Sequence, residues 1–123
     1  MHSRGFPNAF FFGPAQSGFT ATYTYSLDEQ SVHLAHILGK ARERGANRIE
    51  ASERAETEWV KTIIEKARLT ADFQEKCTPG YYNNEGNVNT KPQNNTYGGG
   101  PIEFFGLMEK WREQGNLDGL ELT

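Results

Sequence analysis

The run Phe10-Phe11-Phe12, closed by Gly13-Pro14, constrains this chain more than any other feature. An apolar run without polar alternation leaves no face for solvent. It predicts a strand buried on both sides, as in the middle of a parallel sheet. Such a strand needs neighbours joined by right-handed crossovers. No second run of that quality follows, so its sheet is expected to lie outside this chain or on a partner.

With 123 residues the chain has the length of one domain and can bury a modest core. Hydrophobic residues make up 36%, a thin supply for a globular domain. The net charge of -3 excludes an electrostatic case for nucleic acid or an anionic membrane as a partner. No apolar run approaches the roughly 20 residues that span a bilayer. Met1-His2-Ser3-Arg4 leads into Gly-Phe-Pro, not into the apolar core of a signal peptide. Cys77 is the single cysteine, which excludes an intrachain disulfide and fits a reducing, cytoplasmic location.

Three helices are predicted. Ser26-Leu27-Asp28-Glu29 has the form of a capping box, which starts the first helix at about residue 27. Leu27, Leu34, Ile37, Leu38 and Ala41 then recur at helical spacing, and Gly45 suits the end, giving residues 27–44. Ser52 is placed to cap a second helix over about 53–69, with Ala55, Trp59, Ile63 and Ala67 as its stripe. Pro101 suits the first position of a third helix over 101–114, ended by Gly115. Arg48-Ile49-Glu50 reads as a short extended link, and Leu117, Leu120 and Leu122 as a closing edge strand. Residues 76–100 are rich in asparagine and glycine. A structureless stretch of that length is uncommon in a compact domain and is often a lid. The fold class is therefore mainly α with one or two short strands. It divides into 1–26 (strand and pocket loop), 27–75 (two amphipathic helices), 76–100 (a mobile lid) and 101–123 (helix and tail).

Isolated catalytic motifs are absent. Ser17 sits in Ala15-Gln16-Ser17-Gly18, which is not a nucleophile elbow. Residues 13–18 lack the Lys-Ser/Thr of a phosphate loop. His33 and His36 share a helix face with Glu29, but no third strong ligand joins them, so packing histidines are the simpler reading and no metal is assigned. Gly98-Gly99-Gly100 reads as a hinge before a helix. One physical pointer remains. A strand running through a Gly-Pro loop into a helix N-terminus is where open α/β sheets hold cofactors, which directs attention to residues 20–29.

These residues also form a recognisable series. Gly5-Phe6-Pro7-Asn8-Ala9-Phe10-Phe11-Phe12-Gly13-Pro14 resembles a signature segment of the Baeyer–Villiger monooxygenases. In order follow Glu29-Gln30, Ala41-Arg42-Glu43-Arg44-Gly45, and the pattern from Glu50 to Trp59. Then come Cys77-Thr78-Pro79-Gly80-Tyr81-Tyr82-Asn83-Asn84-Glu85-Gly86 and Tyr97-Gly98-Gly99-Gly100-Pro101-Ile102-Glu103-Phe104-Phe105. The resemblance spans nearly the whole chain.

The resemblance implies the C-terminal portion of an α/β, Rossmann-type flavoprotein that binds FAD and NADPH. In that family one oxygen of O2 is inserted beside the carbonyl of a small-molecule ketone. By the resemblance, Phe10 to Phe12 are the last strand of the FAD-domain sheet. Ser17, Gly18, Phe19 and Thr20 line the substrate pocket. Thr24, Tyr25, Leu27 and Gln30 lie on the FAD side. Cys77, Tyr81 and Asn83 belong to the lid over NADP, Cys77 standing close to where well-known members have a tryptophan. The dinucleotide fingerprints of the family are absent, and no catalytic residue is assigned. The isolated chain is therefore expected to be inactive. The rival expectation is a non-enzymatic helical module that docks on a partner, or on a second copy, through its exposed strand.

Overall fold

A computed structural model describes residues 1–67, 76, 79–80, 85–86 and 92–123. Among the described residues the elements include, in chain order, α1 (Tyr23–Glu43), β1 (Ile49–Ala51), α2 (Glu53–Ala67), a 3-10 turn (Pro92–Asn94), α3 (Pro101–Gln114) and β2 (Leu120–Leu122). The architecture is mainly helical with one two-stranded sheet among the described residues. The strands are antiparallel, pairing Ile49 with Leu122 and Ala51 with Leu120. The link after the first helix and the tail thus become strands together.

The Phe10–Phe12 run is not in that sheet. No strand is assigned to it; Phe10 is half-buried, while Phe11 and Phe12 are 56% and 42% exposed. Phe10 turns in against Ile37, Ile49 and Leu117, and its ring meets His2 edge-on at 5.2 Å. Within this chain the run is thus neither paired nor buried on both faces. The cause is topological: no described segment offers the run a parallel neighbour.

The segment before it is fastened by polar groups. Asn8 Oδ1 accepts from Ile49 N–H at 2.9 Å, and Asn8 Nδ2 donates to Asn47 O at 2.9 Å. Asn8 N–H adds a bond to Ile49 O, so Asn8 extends the edge of β1 like a one-residue strand. The geometry needs a φ of 58°, a region asparagine tolerates better than most residues. Gly5 N–H donates to Glu50 Oε1 at 2.6 Å. Arg48 and this Gly5 bond hold the Glu50 carboxyl below its ordinary range.

The first helix begins a turn earlier than expected, at Tyr23. Thr22 occupies the N-cap without a side-chain cap bond, and no acidic residue lies in the first turn. Ser26 is therefore not a cap: it lies within the helix, 1% exposed, with its Oγ 3.3 Å from Thr20 Oγ1. Tertiary contact overrides the local signal. The Tyr25 ring packs edge-on against Phe105 at 5.4 Å, and this fixes the extra turn. The second helix matches its signals. Ser52 Oγ accepts from Ala55 N–H at 3.2 Å, and Glu53 and Glu56 sit in the first turn. Its expected end at 69 lies outside the described residues. The third helix runs over the expected residues, and Gly115 closes it in the left-handed region at φ 67°.

Two apolar clusters form the core. One joins Ile63 of α2 to Phe104, Phe105 and Met108 of α3, with Tyr97 between them. The other joins Ile37 and Ala41 of α1 to Ile49 and Leu117. Fully burying side chains of this size contributes about 1.5–3 kcal/mol each.

Candidate functional site

The loop of residues 13–20 and the first turn of α1 form one corner of the molecule. Buried amide chemistry fixes it from below. Gln30 is fully buried. Its Oε1 accepts from Gly13 N–H at 3.1 Å, and its Nε2 donates to Gly13 O at 3.0 Å and Ser17 Oγ at 2.7 Å. Tyr97 N–H donates to Ser17 O at 3.0 Å, and Gln16 N–H to Asn95 O at 2.8 Å. The loop is thus bound to α1 on one side and to the segment entering α3 on the other. Gly18 lies beneath Phe104, where a Cβ would come within 2.8 Å of the ring. Only glycine fits there without displacing the ring.

Above this floor the residues turn outward. Phe19, Tyr23 and Tyr25 are each more than two-fifths exposed. Phe19 and Tyr23 stand 6.3 Å apart, tilted. Thr24 is exposed, Thr20 and Leu27 are half-buried, and Thr20 Oγ1 donates to Thr22 O at 2.7 Å. The charge of Glu29 and its hydrogen bond keep the Tyr25 phenol protonated, above its ordinary range. A helix start with no carboxylate and no side-chain cap presents N–H groups and positive potential to an electron-rich ligand.

Beside this corner lies a cleft of about 1220 Å3, bordered by Phe12, Phe19, Trp59, Phe104, Leu107 and Trp111 among others. Its walls are mostly apolar, the character of a small-molecule pocket. His33 meets its edge, with His36 on the same indole. His33 packs on Trp111 at 4.9 Å and His36 at 6.3 Å, so both are packing groups around one indole. Burial, then the nearby Arg112 charge, pushes the His33 pKa down to about 3. Among the described residues, no group of three His, Cys, Asp or Glu side chains could hold a metal ion. No described helix is long and apolar enough to cross a membrane.

The expected site residues therefore separate. Ser17, Gly18 and Gln30 are buried supports; Phe19, Thr20, Thr24, Tyr25 and Leu27 lie in the surface corner they support. Cys77, Tyr81 and Asn83 lie outside the described residues. Two structural roles are not named by the sequence segments that contain them. One is the Asn8 clamp. The other is Tyr97, stacked on Trp59 at 5.7 Å with its hydroxyl donating to Glu103. A signal for Gln30 did exist: it lies four residues after Ser26 and seven before Ile37, on one helix face that turns out to be buried.

This fold is similar to one segment of a larger protein of known structure. It superposes on the polycyclic ketone monooxygenase from the thermophilic fungus Thermothelomyces thermophila with a TM-score of 0.88 and 28% identity, over 99% of this chain and 20% of that one. The chain is homologous over its whole length to a segment of the Baeyer–Villiger-type, FAD-binding monooxygenases. It is 49% identical over 123 residues to pentalenolactone D synthase of Streptomyces exfoliatus, covering 99% of this chain and 21% of that protein. With a Baeyer-Villiger monooxygenase of Streptomyces coelicolor it shares 40% over 115 residues, 93% of this chain and 19% of the relative. Other relatives are named FAD-binding monooxygenases. No protein-family model matches the chain. The chain spans about one fifth of the length of these relatives.

Proposed function

We propose that this chain works as the C-terminal part of an FAD- and NADPH-dependent monooxygenase that inserts one oxygen of O2 beside the carbonyl of a ketone. The observation that carries the reading is the unbroken similarity to such enzymes from the first residues to the last. The corner at residues 13–25 supports it. A flat, electron-rich ring fits against a helix start that carries no carboxylate, bordered by the exposed rings of Phe19, Tyr23 and Tyr25. Bound FAD supplies the oxygen-activating chemistry, which no side chain of this segment provides.

The chain's own residues bind, orient and exclude water. The first turn of α1, with Thr24 and Tyr25, faces the cofactor, and Leu27 backs it. Phe19 and Thr20 form a wall for the substrate, with Ser17 and Gly18 fixing the depth of that wall from beneath. Cys77, Tyr81 and Asn83 belong to the lid on the NADP side. The Phe10–Phe12 run completes a Rossmann-type sheet supplied by the rest of the protein, which accounts for two exposed phenylalanines in sequence. The reading assigns no catalytic residue to this segment.

The test is a comparison of two preparations, each given FAD, NADPH, O2 and a cyclic ketone. The segment joined to its upstream sequence is expected to form the lactone or ester. The 123-residue chain alone is expected to give no product above a flavin-only control. A joined protein that holds FAD but oxidises no ketone overturns the proposed reaction. Turnover by the isolated chain overturns the division of labour. The rival, a non-enzymatic docking module, is favoured instead by a defined oligomer or hetero-complex with no flavin bound.

A further inference from the structure

We propose that Gln30 is a positioning residue: its buried amide sets the height of the loop of residues 13–20, and so the placement of the substrate wall. The inference rests on the monooxygenase reading above. It assigns Gln30 a role through other residues in place of the direct cofactor contact that the family resemblance implies.

The geometry is specific. One side-chain amide reads both backbone groups of one residue, taking Gly13 N–H and giving to Gly13 O. Its remaining hydrogen goes to Ser17 Oγ. Both N–H donors are used, the oxygen is engaged, and the side chain has no exposed surface, so Gln30 offers a ligand nothing. It stands on the same helix whose first turn carries Thr24 and Tyr25. Any shift of the loop along α1 therefore changes the distance between the substrate wall and that turn. On its other side the loop is tied by Gln16 Nε2 to Gln93 O at 2.9 Å and by Tyr97 N–H to Ser17 O. Loss of the Gln30 bonds leaves the loop to follow the segment entering α3.

Side chains of nearly equal length separate hydrogen bonding from packing. Methionine fills the volume and bonds nothing. Ionised glutamate offers only acceptors, which oppose Gly13 O. Protonated glutamate regains a donor and imitates the amide in part. Burial raises a carboxyl pKa, so this exchange falls in a measurable pH range.

The experiment uses the full-length protein that carries this segment, loaded with FAD. Gln30→Met is expected to raise KM for a cyclic ketone about tenfold or more while kcat falls less. Gln30→Glu is expected to match it at pH 8 and to recover as the pH falls towards 6, a recovery that Gln30→Met lacks. Ser17→Ala removes one bond of the three and is expected to raise KM in the same direction by a smaller factor. The proposal is overturned if Gln30→Glu equals the wild type at every pH. It is also overturned if KM stays constant while kcat and melting temperature fall together in all three variants. Gly13 amide hydrogen exchange separates the two readings. If the wild-type protein oxidises no ketone, the substrate wall falls with the monooxygenase reading. An unprotected Gly13 in the wild type removes the strut whatever the activity.

Discussion

Two small polar constellations tie loops to helices in this molecule, and they do so with opposite physics. Around Gln30, neutral amide and hydroxyl groups bond to one another about a fully buried side chain. Around Glu103, charged groups meet in the open: Lys66 Nζ lies 2.8 Å from Glu103 Oε1, which also accepts from Tyr97, and Lys66 stands over the Tyr97 ring at 5.1 Å. The second set looks stronger, since Glu103 is held below its ordinary pKa by Lys66 and then by Tyr97. Its charges are solvated, however, and exposed ion pairs contribute little. The first set has no charge, but each of its groups is costly to leave unbonded. What secures the Glu103 corner is therefore its packing: Tyr97 buried against Trp59, and glycines that let the backbone approach α2.

Substitutions can break that comparison. The largest effect is expected at Gly98, where a Cβ would strike the backbone carbonyl of Lys66. Gly98→Ala is expected to cost more than about 3 kcal/mol in urea unfolding, because backbone cannot move aside as a side chain can. Gln30→Leu should follow at about 2–3 kcal/mol, since it removes three bonds and leaves the half-buried Gly13 groups and the buried Ser17 hydroxyl without that partner. Asn8→Ala is next, at about 1–2 kcal/mol, through two lost side-chain bonds to the edge of β1. Glu103→Gln and Lys66→Met should change the midpoint little. If Glu103→Gln proves costlier than Gln30→Leu, the ranking of buried amide over exposed charge is wrong.

A milder effect sharpens the comparison from the side of pH. His33 is held neutral by burial, with its pKa lowered from 6.5 to about 3. The unfolded chain takes up a proton near pH 6.5 that the folded chain refuses. Stability is thus complete above about 6.5 and declines as the pH drops towards 3. His2, lowered to about 4 by burial, adds to the same slope. His33→Leu should flatten the decline below pH 6 in thermal melts, leaving the share of His2. An unchanged slope would show that His33 is solvated and does not refuse the proton.

Much of this was legible in the residues, and the failures have one cause. The second and third helices follow signals within a few positions of their ends: Ser52 as cap, Pro101 at the start, Gly115 at the close. The start of α1 follows contacts from elsewhere, Phe105 against Tyr25 and Thr20 against Ser26, so the capping pattern at Ser26 misled by a turn. The phenylalanine run suggested a strand because local pattern reports burial but not who supplies it. The partners of Asn8 and Gln30 stayed hidden for a related reason. A polar side chain in a sequence does not name its partner, and these two find theirs at Ile49 and Gly13. The aromatic corner at the start of α1 was legible as a place, from a Gly-Pro loop running into a helix. The division into buried supports and exposed contacts was not.

The pairing of β1 with β2 bears on the order in which the molecule assembles. The two strands are separated by nearly all of α2, the long Asn-rich stretch and α3. A contact so distant along the chain closes late, because most of the intervening loop entropy must be lost first. On the ribosome, Ile49 to Ala51 emerge long before their partner exists. Asn8 and Arg4 cover the opposite edge, bonding Ile49 and Ala51, while β2 and its neighbours are bonded through Arg48 and Ser52. The Gly-Phe-Pro-Asn signature thus leaves the β2 edge open for the tail and closes the other one, so that β1 is bonded on both sides once the chain is complete.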